Sequence, residues 1–100
     1  MAMKRPYHAG APKQKMWQSM RIMRFFTPSD IAQTAEVSVE YATTFINVLR
    51  RAGYIKRQPD ATGQFAPHQL LRNTGPHAPR HWRKERQVYD LNREVTYGLD

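Results

Sequence analysis

One hundred residues, 40% of them hydrophobic and 11% aromatic, set the scale of a single small domain with a small core. The absence of cysteine excludes a disulfide framework, a zinc finger and a thiol nucleophile, and no stretch approaches the ~20 apolar residues that cross a bilayer. A formal charge of +8 suits a polyanionic partner, because each phosphate neutralised releases counterions.

The charge is unevenly spread. Residues 1–26 hold six basic side chains and no acidic one, whereas residues 27–52 hold two basic and three acidic. Residues 1–13 mix Pro, Gly, Ala and basic side chains, the composition of a flexible basic arm. They lack the apolar run of a secretory signal, so a cytoplasmic protein is expected.

A first helix is predicted over Gln14 to Phe25, where Met16, Met20 and Met23 recur at the spacing of one buried stripe. Trp17 and Ile22 lie off that stripe and either widen it or form a second contact face. The second helix starts at Thr27 as N-cap, with Pro28 at the first position and Asp30 favouring the helix dipole. It ends near 34–36. Val37 sits in the turn, where it can plug the space between helices. The third helix follows Ser38, another N-cap, and places Ala42, Phe45, Ile46 and Leu49 on one face. Gly53 supplies a left-handed stop.

Tyr54 to Gln58 reads as a strand, 59–64 as turn chemistry and His68 to Arg72 as the returning strand. Phe25 to Thr27 is a candidate third strand. The expected fold class is therefore α+β, mainly α with a small β-hairpin: three helices plus a wing over residues 14–73. Residues 74–100 read as an extended basic C-terminal segment, partly docked, with a small docking strand at Val88 to Leu91.

On Asp30-Ile31-Ala32, Val37-Ser38, Ala42, Phe45-Ile46, Leu49 and Gly53-Tyr54-Ile55, the chain resembles the winged helix-turn-helix of the MarR/ArsR-like superfamily. The hairpin followed by LLRNTGPHAPR, and later VYDLN, is similar to small winged-helix proteins of Mu-like phages and prophages. The resemblance implies double-stranded DNA as partner, transcription control as role, a prophage as source and no catalytic residue. It also implies that the helix 38–52 lies in the major groove with its N-terminal half toward the bases.

On that placement Ser38, Val39, Glu40, Tyr41, Thr43, Thr44 and Asn47 face DNA. Thr43, Thr44 and Asn47 are the candidate base readers. Glu40 can accept from cytosine, and Tyr41 either touches the backbone or packs. Arg50 and Arg51 in the last turn serve either phosphate or the helix dipole. Lys56 and Arg57 on the wing, with Arg72 on its return strand, are expected at phosphate or the minor groove. Lys4, Arg5, Lys13 and Lys15 form a basic arm, and Arg80, Arg83, Lys84 and Arg86 a basic stretch, as auxiliary phosphate contacts. Both arm and stretch also fit solubilising tails.

No nucleophile elbow, phosphate loop or paired carboxylate motif is present, so no enzyme and no cofactor is expected. His77 and His81 stand four apart, but Pro76 and Pro79 argue against a helix that would bring them to a metal. A homodimer through helix 14–25 (Trp17, Met20, Arg21, Arg24) or through the C-terminal segment from Val88 to Leu99 is an open alternative to a monomer. A protein-interaction module and a phage packaging accessory are the competing functions.

Overall fold

The computed structural model describes residues 11–99. Lys4, Arg5 and most of the arm lie outside them. The chain runs α1 (Pro12–Met23), β1 (Phe25–Phe26), α2 (Pro28–Ala35), α3 (Val39–Arg51), β2 (Ile55–Arg57), β3 (His68–Leu70), β4 (Arg80–Trp82), β5 (Gln87–Asp90) and β6 (Val95–Gly98). It is a small α+β domain with two three-stranded antiparallel sheets.

Local chemistry sets the helix ends. Pro12 opens α1 two residues earlier than expected, since its fixed φ suits the first turn and its missing N–H is no loss there. Arg24, at φ 68°, closes it and turns the chain into β1. At α2 a reciprocal capping box forms: Asp30 N–H donates to Thr27 Oγ1 (3.0 Å), and Thr27 N–H donates to the Asp30 carboxylate (2.9 Å). Ser38 Oγ accepts from Tyr41 N–H at 3.0 Å and caps α3. Gly53, at φ 90°, ends α3: its N–H donates to Arg50 C=O and that of Tyr54 to Leu49 C=O.

Met16 and Met20 are fully buried against Ile31, Ala42, Ile46 and Leu49, with Met23 partly buried beside them. Trp17 is also fully buried, and its indole N–H donates to Gly75 C=O at 2.8 Å. It forms a second buried face of α1, one that meets the C-terminal half of the chain. Ile22 is left exposed.

The first sheet has the order β1-β3-β2, with Phe25 opposite Gln69 and Arg57 opposite His68. The hairpin loop folds back onto α2, where Ser29 N–H donates to Gln64 C=O at 2.9 Å.

The second sheet corrects the expectation of a single hairpin. Residues 80–98 form a meander, β4-β5-β6, with His81, Val88 and Tyr97 in one row across it. Val88 and Leu99 join the same core as the helices. Asn92 clamps the preceding crossover: its side chain accepts from His77 N–H (3.0 Å) and donates to His77 C=O (2.8 Å) and Thr74 Oγ1 (3.2 Å). Gln14 bridges the same stretch, donating to Pro76 C=O (2.6 Å) and accepting from Ala78 N–H (3.0 Å). Trp17 and Met20 are thereby spent inside the chain, as are Val88, Asp90 and Leu99, so none of these five is left to form a dimer surface. Among the described residues no helix is long and apolar enough to cross a membrane.

Candidate nucleic-acid interface

At about 100° per residue, the outward ridge of α3 carries Glu40, Thr44, Asn47 and Arg51. Ala42, Phe45, Ile46 and Leu49 on the opposite side are buried. A groove opens on each flank of the ridge.

The first groove, about 200 Å³, lies between α3 and the hairpin. Thr43, Asn47 and Arg50 line it from the helix, Arg57 from β2, and Gln64 and His68 from the loop and β3. Arg50 donates to Asn47 Oδ1 at 3.3 Å, and its buried Nε has no hydrogen-bond partner. His68 is buried, stacked on Phe26, with Nδ1 at 2.7 Å from Ala66 C=O. Burial pushes its pKa below the ordinary histidine value. The Ala66 carbonyl opposes that shift, while Arg50 and Arg57 add to it. The imidazole therefore sits neutral among cations.

The second groove, about 130 Å³, lies between α3, the start of α1 and the second sheet. Lys13, Tyr41, Thr44, His81 and Arg83 line it over Phe45 and Val48. The Lys13 ammonium stands 5.9 Å from the Tyr41 ring centroid. His81 is pushed below its ordinary pKa by burial first, then by Arg83, Lys13 and Arg51.

The expected site residues do not all gather here. Val39 packs partly buried against the core. Ser38 serves as the α3 cap, and the Thr44 hydroxyl donates back to Glu40 C=O at 3.0 Å. Lys56 and Arg57 point to opposite faces by strand alternation. Arg57 joins the α3 groove, and Lys56 lines a shallow cleft with Phe25 and Gln69 on the far side of the sheet. Lys15 stands 3.7 Å from the exposed Glu36 carboxylate.

Arg72 departs most from expectation. β3 ends at Leu70, and Arg72 lays its guanidinium on the Tyr97 ring, 4.2 Å from the centroid, and near Tyr54 at 5.9 Å. It packs on these rings, with a buried Nη1 that has no hydrogen-bond partner. Arg80 lies half-buried on β4, whereas Arg83, Lys84 and Arg86 are exposed in the β4–β5 turn.

His81 is the lining residue that the sequence does not place at the site. The 3.6-residue period places Arg51 on the ridge with Thr44, and period-two alternation in β4 turns His81 inward. Among the described residues no group of three or more His, Cys, Asp or Glu side chains is placed to hold a metal ion. Comparison with protein-family models, curated proteins and solved structures gives no match to the chain, so the chemistry is read from these residues alone.

Proposed function

We propose that the protein binds double-stranded DNA as a winged helix-turn-helix, with α3 in the major groove and the β2–β3 hairpin as its wing, and that it serves transcription control in a prophage. One observation carries this reading. The polar ridge of α3 runs between two grooves that both offer cations, Arg50 and Arg57 on one flank and Lys13 and Arg83 on the other. A helix seated in a major groove has a phosphate backbone on each side, and this spacing of charge suits it. Thr43, Thr44 and Asn47 are left to meet base edges.

The test is a salt titration of duplex binding. About six phosphate contacts lose roughly a thousandfold in affinity between ~50 and ~200 mM salt. Affinity that hardly changes over that range rejects the reading. A protein-interaction module is the second reading. It is favoured by the 39% exposure of Tyr41 and by an α3 without arginine before its last turn. Failure to shift random duplex at low salt points to it. A phage packaging accessory would bind duplex without selecting one sequence from a random pool.

A further inference from the structure

We propose that the groove between α3 and the second sheet is a phosphate site for the DNA backbone, and that its occupation loads a proton onto His81. The inference rests on the DNA-binding reading and adds to it a second anchoring point and a coupling to pH.

The groove is built from three separate parts of the chain. Lys13 comes from the first turn of α1, Tyr41 and Thr44 from α3, and His81 and Arg83 from β4 and the turn after it. Its lining holds no carboxylate. The β4–β5 turn therefore stands beside α3 as a second basic hairpin, on the flank away from the wing. An oxyanion here meets an ammonium, a guanidinium, a hydroxyl and an imidazole.

The groups facing His81 explain the coupling. Partial burial acts first, and the cations Arg83 from the turn, Lys13 from α1 and Arg51 from α3 add to it. A proton on His81 is thus disfavoured while the groove is empty. A phosphate among the same groups reverses the local field, so the imidazolium becomes favourable. Binding then takes up a proton, and by linkage affinity rises as pH falls through the range between the two states. One linked proton changes Kd by at most about tenfold per pH unit.

The experiment measures binding of a random-sequence duplex to the full chain from about pH 8 to about pH 6, with the His81 ring followed by NMR. Wild type should bind several-fold more tightly at the lower pH. His81→Gln should lose the pH dependence. Arg83→Gln, at an exposed position, should weaken binding and lower the slope of log affinity against log salt by about 0.9. Duplex should move the His81 resonance and raise its titration midpoint.

Retention of the full pH dependence in His81→Gln, or its disappearance only in His68→Gln, overturns the proposal. So does a His81 signal that saturates with inorganic phosphate but ignores duplex, which assigns the groove to a free anion. If wild type binds no duplex at any pH, the DNA reading itself fails. If Arg57→Gln weakens binding while Arg83→Gln does not, only the second site fails.

Discussion

Tyr54 donates its hydroxyl to the buried carboxylate of Asp90 across 2.6 Å, and this bond fastens the end of α3 to β5. The other Asp90 oxygen accepts from the N–H groups of Asn92 and Arg93 at 2.9 and 3.0 Å. One carboxylate thus closes the β5–β6 turn and ties that turn to the helical half. Tyr54 also meets Trp17 and Tyr97 edge-on, at 5.9 and 5.4 Å between centroids. Asp90→Ala leaves the Tyr54 hydroxyl and two turn N–H groups unpaired. It should lower stability by about 3 kcal/mol in urea unfolding.

The same pair makes stability sensitive to alkali. Burial, and then the hydrogen bond to Asp90, push the Tyr54 pKa well above its ordinary value of 10.0. A group whose pKa is raised on folding contributes fully below the unfolded value and loses that contribution as pH rises past it. Above about pH 10, wild type should therefore lose about 1.4 kcal/mol per pH unit more than Tyr54→Phe. Parallel urea midpoints of the two proteins across that range would reject the assignment.

His68 works in the opposite direction. Its pKa is lowered on folding, chiefly by burial, so its contribution is present above the unfolded value of 6.5 and lost as pH falls below it. Wild type should lose stability on acidification from about pH 7 to about pH 5. His68→Gln should start lower and fall less over that range. An equal fall in both proteins contradicts the idea that burial keeps this imidazole neutral.

Gly75 is pinned in two ways. Its φ of 147° disfavours any Cβ, and a Cβ there would lie 2.7 Å from Asn92 Cγ. Gly75→Ala should cost roughly 2–3 kcal/mol through overpacking and strain. Asn92→Ala alone also destabilises, because it frees the 74–77 crossover. In the double variant the loss should be less than the sum of the separate effects, since the Asn92 amide group is then gone and only the 3.0 Å approach of its Cβ remains. Strict additivity in a double-mutant cycle contradicts the packing described.

What was legible in the sequence was what local chemistry decides. The Thr27 and Ser38 caps, the Gly53 stop and the period of Ala42, Phe45, Ile46 and Leu49 each act within a few residues, and all appear as expected. The second sheet was not legible beyond a strand near Val88. Among its residues 80–98 only Val88 and Asp90 are buried on the strands, so no apolar alternation marks them. Its position depends on distant partners such as Gln14 with Pro76 and Tyr54 with Asp90. Arg72 illustrates the same limit for the site. Basic side chains near a hairpin read alike in sequence, and only the Tyr97 ring, 25 positions on, separates a packing arginine from a surface one.

Lys56 and Arg57 give the sharpest test of the interface, because adjacent residues of equal charge face opposite sides of one strand. Arg57 shares the α3 groove with Asn47 and Arg50, whereas Lys56 lines the far cleft with Phe25. If α3 and its groove meet duplex DNA, Arg57→Gln should weaken binding several-fold and lower the salt slope by about 0.9. Lys56→Gln, equally neutral, should change both much less, because long-range attraction alone is screened within about 10 Å at ~0.1 M salt. Matching losses in the two variants would mean that net charge drives binding and that the groove has no special part. A larger loss in Lys56→Gln would place the DNA on the opposite face of the sheet, away from α3.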